Sequence, residues 1–393
     1  MVEAFRIRGG STFYDTITYT EWGPVTYDRS FHAEDDLSDY AFRWISHDRS
    51  EEIMAIYKLN RAKNHAEFMR ATTHFSAPGQ NFVFASVSGD VAIRVQGKFP
   101  VRRKDEGKFV LDGSKPEHGW QAFIPADQNV TQKNPERGFV SSANQFPVDS
   151  TYPYYITATN YEAYRNRRIN QILSGSSNIT VEDMMRLQAD NFNLKASESL
   201  PMFLNLLDTT KFSQAEKQAY AILKNWDFYN DVDSQGASYY ESWWNALMPL
   251  IWDEMDRDDA ILIRPTTYNT IRLIREKPGL EFFDILATEK KETAGEVVQA
   301  SFTAGVNNIQ KWIAQAGTGR TDVPWGSFKA SSIAHLLPPM KALSIPVNTG
   351  GNRDIVNAHS RTNGPSWRMI VSLEKSGVKA FGTYPGGQSG NPG

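Results

Sequence analysis

Asn144 and Arg165 are the two residues of this chain whose side chains suggest catalytic chemistry most directly. An asparagine that follows an apolar strand, here predicted at 138–140, can present its NH₂ donors to a developing oxyanion, as happens in acyl transfer. The planar guanidinium of Arg165 offers a fixed fork of donors that can lock an amide or a carbonyl in position. Each residue also has a plainer interpretation, with Asn144 as a turn residue and Arg165 as one end of a surface salt bridge.

The stretch 81–144 has to position Asn144. It opens with two predicted apolar strands, 82–87 and 91–95, which are joined by a turn at Gly89. Glycine suits such a turn because it adopts a positive φ without a Cβ clash. The segment that follows is dense in Gly, Pro and Trp, and rigid loops of this kind usually hold something in place.

The order of the predicted elements indicates the fold class. Strands, one of them at 39–46, two helices and the strand pair precede residue 144. Helices then predominate, with starts predicted at Thr180, Pro201 and Ser213. Two final strands are predicted at 367–373 and 378–384. This order is typical of an α+β fold with helices packed on a sheet. It predicts a first sheet-and-helix part at 1–173 that carries Asn144, a mostly helical insertion at 174–319, and a return to the core sheet at 320–393.

The composition excludes several classes of function. The 393 residues carry a net charge of −3 and no cysteine, so we expect no nucleic-acid partner, disulfide, thiolate metal site or cysteine nucleophile. No apolar run approaches the ~20 residues of a membrane span, and the N-terminus has no signal-peptide core. Aromatic residues make up 12% of the chain, which favours a large aromatic core over a pocket for acyl groups or sugars.

Other candidate sites have weaker sequence support. The segment 231–236 imitates the start of a calcium loop, but Ser242 stands where the loop needs a bidentate acid. His32 precedes three acidic residues and suggests a metal site, although a solvated acidic loop is the favoured interpretation. Asp112 and Glu117 form a weak candidate for a glycosidase acid pair. No Gly-x-Ser-x-Gly elbow accompanies the histidines, which argues against a conventional serine triad.

An ordered set of short motifs adds a family resemblance that covers nearly the whole chain. The set resembles the β chain of the penicillin acylase (penicillin amidase) family of N-terminal-nucleophile hydrolases. The matching blocks are Gly23-Pro24-Val25, Asn81-Phe82, Gly89-Asp90, Gly97-Lys98-Phe99-Pro100, Asp112-Gly113, Gly119-Trp120, Ile124-Pro125, Asn134-Pro135, Gly138-Phe139-Val140, Ala143-Asn144, Gly364-Pro365-Ser366-Trp367-Arg368 and Gly386-Gly387-Gln388-Ser389-Gly390-Asn391-Pro392.

The resemblance implies both a fold and a site. The implied fold is a four-layer αββα sandwich, here partial, with 174–319 as the helical insertion. Asn144 matches the asparagine that helps to form the oxyanion hole, and Arg165 matches the arginine that positions the reacting groups. The family nucleophile is a serine at the start of the β chain whose own α-amine, with a pKa near ~8, acts as the base. We expect that serine, the first β-chain segment and the α chain to lie outside this chain.

The activity implied is hydrolysis of the linear amide of a small acyl compound. Penicillins, acyl-homoserine lactones and lipopeptides are all consistent with the family, which suggests a periplasmic or secreted zymogen connected with antibiotic biosynthesis. No organic cofactor is implied, and calcium would bind in the whole protein through ligands that this sequence does not identify. We expect the chain alone to be an inactive β-chain fragment that self-associates through exposed core. The alternative is a non-catalytic carbohydrate- or ligand-binding module with an aromatic-rich surface.

Overall fold

The computed structural model describes residues 1–26, 40–104, 106–157, 161–255, 263–317 and 319–384. The chain divides into two compact units. Unit 1 comprises Met1–Ser142 and Phe146–Asn160, and unit 2 comprises Ala143–Gln145 and Tyr161–Gly393. Asn144 therefore belongs to the same unit as Arg165, although the chain on either side of Ala143–Gln145 belongs to the other unit.

Unit 1 combines short antiparallel strand pairs with one helical hairpin. The strands β1 and β2 pair, β3 and β4 pair, and β5, β6 and β7 form a three-stranded antiparallel sheet. The bounds are β1 Val2–Phe5, β2 Phe13–Thr16, β3 Tyr19–Thr20, β4 Gly23–Pro24, α1 Glu52–Leu59, α2 His65–Thr72, β5 Gln80–Ala85, β6 Val91–Gln96 and β7 Thr131–Lys133. The predicted hairpin at Gly89 is confirmed, with Ala85 facing Val91.

The inner face of β6 carries polar side chains. Arg94 is buried and donates from Nη1 to the carbonyl of Met69, 3.0 Å away in α2. Gln96 is also buried and donates to the carbonyl of Phe75 at 3.0 Å. These bonds satisfy backbone carbonyls at the end of the helical hairpin, so the sheet and the helices of unit 1 are joined by hydrogen bonds as well as by apolar contact.

Two strand predictions in unit 1 are wrong. Of the predicted strand 39–46, the described part forms only an isolated bridge at Ala41 and a 3₁₀ turn at Ile45–His47. The predicted apolar strand 138–140 is irregular, because Gly138 has a φ of 76° and its N–H bonds to the carbonyl of Pro135 at 2.8 Å. A left-handed residue closes a turn and cannot continue a β-strand.

Unit 2 is mostly helical. Its bounds are α3 Tyr164–Ser174, α4 Val181–Gln188, α5 Leu194–Asn205, α6 Gln214–Lys224, α7 Gln235–Ile251, α8 Thr267–Glu276, α9 Ala294–Gln315, α10 Trp325–Lys329, β8 Ser332–Ile333, β9 Ile345–Pro346, β10 Arg368–Glu374 and β11 Gly377–Thr383. The helix predicted to begin at Pro201 begins earlier, at Leu194, where the Asn193 side chain caps it. Pro201 lies inside that helix.

The packing of α7 against α9 forms the centre of the unit 2 core. The Trp243 ring lies edge-on to that of Phe302, with centroids 4.8 Å apart, and its Nε1 donates to Ser301 Oγ at 3.0 Å. A Cβ added to Gly305 would lie 2.7 Å from the Trp243 Cα, so glycine permits this close approach of the two helices. Trp243 and Trp252 are almost completely buried. The aromatic residues of this unit therefore serve mainly as core.

The final strands form a hairpin of their own. Within the described residues β10 pairs only with β11, and the predicted pairing with the core sheet is not seen. The His32 loop and the block 386–392 lie outside the described residues. Across the described parts of the chain, no helix combines the length and apolarity that crossing a bilayer requires.

Candidate functional site

The side chains of Asn144 and Arg165 are in direct contact. The Arg165 Nη2 donates to the Asn144 Oδ1 at 2.8 Å, across 21 residues of sequence. Asn144 is exposed and has a φ of 66°, in the left-handed region that non-glycine residues seldom occupy. Asparagine is one of the few non-glycine residues that adopt this conformation routinely, so the turn itself favours an asparagine at this position. The geometry thus brings together the two residues that the sequence selected.

The bond from Arg165 fixes which way the Asn144 amide faces. The guanidinium has only donors, so it must meet the amide oxygen. The amide nitrogen, with its two N–H donors, then faces away from Arg165. Among the residues that the structure describes, none accepts a hydrogen bond from this nitrogen at the distances that define one. The arrangement leaves an oriented pair of donors at an exposed position.

Ionic contacts hold the helix that carries Arg165. Arg167 Nη1 donates to the carboxylate of Glu198 in α5 at 3.1 Å. Arg168 Nε donates to the carboxylate of Asp190 at 2.8 Å, and the two side chains are 15% and 9% exposed. Each arginine of the run 165–168 therefore has an acceptor within unit 2. A partly desolvated pair such as Arg168 and Asp190 restrains a helix better than an exposed one.

Glu162 secures the chain just before α3. Its carboxylate accepts a hydrogen bond from the backbone N–H of Thr267, in the first turn of α8. Burial raises the pKa of Glu162, and the Thr267 N–H opposes that rise. A carboxylate at a helix N-terminus is favourable because unpaired N–H groups are concentrated there. The start of α3 is therefore fixed to a second helix.

Asp190 is a residue that sequence reasoning missed. It orients α3 through Arg168, yet it lies 22 positions further along the chain. No local motif marks it, since it sits between the end of α4 and the start of α5. Only the folded arrangement shows that this acid supports the helix of Arg165.

The glycosidase alternative finds no geometric support. The Asp112 carboxylate accepts bonds from the Ser114 hydroxyl at 2.7 Å and the Ser114 N–H at 3.0 Å. The Ser114 hydroxyl holds the pKa of Asp112 below 3.8. A general acid needs a raised pKa, so Asp112 is suited to capping its own turn and not to protonating a leaving group.

Metal and triad candidates also have plainer roles. Asp231, the first residue of the calcium-like segment, accepts a bond from the Asn191 side chain at 2.7 Å. His74 contacts Glu51 at 2.8 Å and Lys58 at 2.6 Å, without a serine in either contact. Within the described ranges no three His, Asp or Glu side chains are grouped to hold a metal ion. No calcium ligand is therefore assigned among the residues that the structure describes.

The family profile for penicillin amidase matches residues 1–393, the whole chain. The chain belongs to the penicillin amidase family. The match itself assigns no role to Asn144 or Arg165, whose roles stay predictions.

Curated relatives and a solved structure agree with this membership. The penicillin acylase 2 proenzyme of Pseudomonas sp. (strain SE83) is 25% identical over 362 residues, covering 90% of this chain and 45% of the relative. The acyl-homoserine lactone acylase QuiP of Pseudomonas aeruginosa is 22% identical over 443 residues, covering 99% and 52%. The chain thus spans about half the length of the curated relatives it matches.

The fold is that of a penicillin acylase. The thermostable penicillin G acylase from Alcaligenes faecalis matches with a TM-score of 0.65 and 16% identity, over 99% of this chain and 73% of that one. The predicted α+β fold of the N-terminal-nucleophile hydrolase type is confirmed by this likeness. At such low identity the likeness concerns the fold alone.

Proposed function

We propose that this chain forms part of an amide hydrolase of the penicillin acylase type, in which Asn144 donates to the oxyanion of the reaction. The observation that carries the proposal is the 2.8 Å bond from Arg165 to the Asn144 Oδ1. This bond orients the amide so that its N–H donors are free to meet a developing negative charge. Preorganised donors of this kind are typically worth about 2.7–4 kcal/mol in the transition state.

The proposed reaction proceeds through an acyl-enzyme. A serine hydroxyl attacks the carbonyl carbon of the substrate amide and transfers its proton, by way of a base, to the leaving amine. The carbonyl oxygen becomes an oxyanion and accepts from the Asn144 Nδ2. The tetrahedral intermediate collapses to an ester, and water then releases the carboxylic acid in a second step of the same kind.

The nucleophile of this proposal is contributed by polypeptide beyond the 393 residues. The family relationship supports this arrangement, since the matched relatives are about twice as long as the part that aligns. The residues here contribute the amide donor, the arginine that orients it and the helix that carries the arginine. The substrate class is an amide of a small acyl group, such as a penicillin or an acyl-homoserine lactone, in keeping with the names of the relatives.

Hydrolysis of a chromogenic acyl-anilide tests the proposal. The 393-residue chain alone is expected to show no turnover, whereas the whole protein that contains it hydrolyses the substrate. Turnover by the chain alone, in proportion to its concentration, would contradict the proposal that the nucleophile comes from polypeptide beyond these residues.

Two substitutions of Asn144 separate the effect of losing the amide donors from the effect of changing the backbone strain. Asn144→Ala removes the donors and adds strain at a φ of 66°, whereas Asn144→Gly removes the donors and relieves the strain. In the whole protein both are expected to lower kcat by about 10²–10³, with KM nearly unchanged. Asn178→Ala is the matched control, because Asn178 is another exposed asparagine with a positive φ, of 52°. A wild-type kcat for Asn144→Gly would refute the role of the amide.

A further inference from the structure

Lys329 lies buried in a cage of oxygen atoms. It ends α10 and is 6% exposed. Four oxygens lie within hydrogen-bond distance of its ammonium group and share its three N–H donors: the carbonyl oxygens of Gly350 at 2.7 Å, His359 at 2.8 Å and Gly351 at 3.3 Å, and the Thr349 Oγ1 at 3.2 Å. All of these oxygens come from the segment 349–359. Across the described residues Lys329 forms no ion pair, so its full charge is compensated by the partial charges of these oxygens and by the Trp325 ring, whose centroid is 5.7 Å away.

Another buried lysine, Lys195, has a carboxylate partner. Lys195 is 4% exposed, and its ammonium lies 3.5 Å from the Glu241 carboxylate and 4.8 Å from the Trp244 ring centroid. A carboxylate partner is the usual solution for a buried ammonium. Carbonyl oxygens that together replace a hydration shell are instead the arrangement by which proteins bind potassium. The surroundings of Lys329 are therefore those of a monovalent-cation site.

The cage is held in shape by bonds that do not involve Lys329. The Gly351 N–H donates to the carbonyl of Asn230 at 2.8 Å, and Trp325 Nε1 donates to the carbonyl of Gly351 at 2.8 Å. Gly351 has a φ of 77°, and a Cβ there would lie 2.1 Å from the Asn357 carbonyl oxygen. The Asn357 N–H bonds to the carbonyl of Asp190 at 3.0 Å. The oxygens should thus keep their places when the lysine side chain is shortened.

We propose that the segment 349–359 is a monovalent-cation site whose occupant is the ammonium group of Lys329, and that free ammonium or potassium fills it when that side chain is shortened. The separations of 2.7–3.3 Å suit these larger monovalent ions. Burial lowers the pKa of Lys329 to about 8, which leaves the amine mainly protonated at neutral pH. Through Asp190, which binds Arg168 of α3, the site is linked to the helix of Arg165.

Thermal unfolding of Lys329→Ala in different salts tests the proposal without any measurement of activity. The variant is compared in ammonium, potassium and tetramethylammonium chloride at equal ionic strength. Tetramethylammonium is too bulky for the cage and has no N–H donor. The variant is expected to melt below the wild type in tetramethylammonium. At a concentration 100-fold above the Kd, ammonium or potassium should raise its midpoint by roughly 5–10 °C, since an ion that binds only the folded state stabilises it.

Lys329→Met is the matched control, because it refills the space with an apolar chain and leaves no room for an ion. The melting midpoint of Lys329→Met is expected to lie below that of the wild type and to be the same in all three salts. The wild-type midpoint is also expected to be the same in all three salts. A Lys329→Ala midpoint that is the same in every salt overturns the proposal, as does a variant that fails to fold in all of them. Anomalous scattering from rubidium in crystals of Lys329→Ala provides a second measurement. A peak inside the cage supports the site, and its absence contradicts it.

Discussion

The contact between α7 and α9 gives a prediction that can be tested on the 393-residue chain. Gly305→Ala places a methyl group 2.7 Å from the Cα and 2.9 Å from the N of Trp243. These are backbone atoms, so no side-chain rotation relieves the clash and the helices must move apart. Overpacking of a core costs about 1–3 kcal/mol, and the better helix propensity of alanine returns about 1 kcal/mol. With a contact this close, we expect a net loss of about 2 kcal/mol.

Gly295→Ala is the matched control in the same helix. The added methyl group would meet only the Leu206 Cδ2, at 3.9 Å, which is ordinary contact. This variant should gain a few tenths of a kcal/mol from propensity alone. For a domain of this size 1 kcal/mol shifts the midpoint by roughly 2–4 °C. Circular dichroism at 222 nm should therefore show a fall of about 4–8 °C for Gly305→Ala and no fall for Gly295→Ala. An unchanged or raised midpoint for Gly305→Ala would refute the close-approach argument.

Three further predictions follow from named contacts. Arg165→Met in the whole protein should lower kcat about 10–100-fold, which corresponds to the loss of a charged hydrogen bond. The control Arg186→Met, on the exposed face of α4, should leave kcat unchanged. If the two variants have the same kcat, Arg165 has no role in the site. The Arg43 guanidinium, and then the Lys98 ammonium, hold the pKa of Asp48 below 3.8 in the folded chain. The ionised Asp48 therefore stabilises the fold above about pH 4, and this contribution is lost as the pH falls through the pKa of Asp48 in the folded state. Asp48→Asn should flatten the acid side of the melting profile, and a profile as steep as the wild type's would contradict this. The chain alone, with large apolar side chains exposed on α1, should self-associate in sedimentation; a monomer at high concentration would count against it.

Helix starts were the features most readily predicted from the sequence. Thr180 followed by Asp183, and Ser213 followed by Glu216, both form the reciprocal hydrogen bonds of a capping box. These signals are local, because the cap and its partner lie three residues apart. Both signals are kept in the folded chain, whereas the Glu162 carboxylate bonds to Thr267 of another helix.

Two wrong predictions have causes that the apolar pattern did not show. The apolar segment before Asn144 contains Gly138, whose positive φ makes a turn out of what the pattern indicated as a strand. The prediction placed the start of the helix around Pro201 seven residues too late, because the buried polar residues Lys195 and Ser199 interrupt the apolar stripe of its first turns. Propensity and periodicity give way to tertiary contacts at such places.

The candidate site could not be derived from spacing. The bond between Asn144 and Arg165 spans 21 residues and joins a short loop segment to a helix, and no periodicity predicts it. The residue types suggested such a contact, and the family resemblance selected these two residues for it. The support of α3 by Asp190 was not expected at all, because it depends on how α3 and the chain after α4 pack together.

The most direct test of the central claim is a structure of the whole protein with a tetrahedral acyl mimic, such as a boronate, bound to the nucleophile. We predict that the Asn144 Nδ2 donates to the oxyanion-equivalent oxygen at about 2.7–3.1 Å while its Oδ1 keeps the bond from Arg165. An Asn144 amide that lies out of hydrogen-bonding reach of that oxygen, or that presents its Oδ1 to it, would refute the oxyanion role of Asn144.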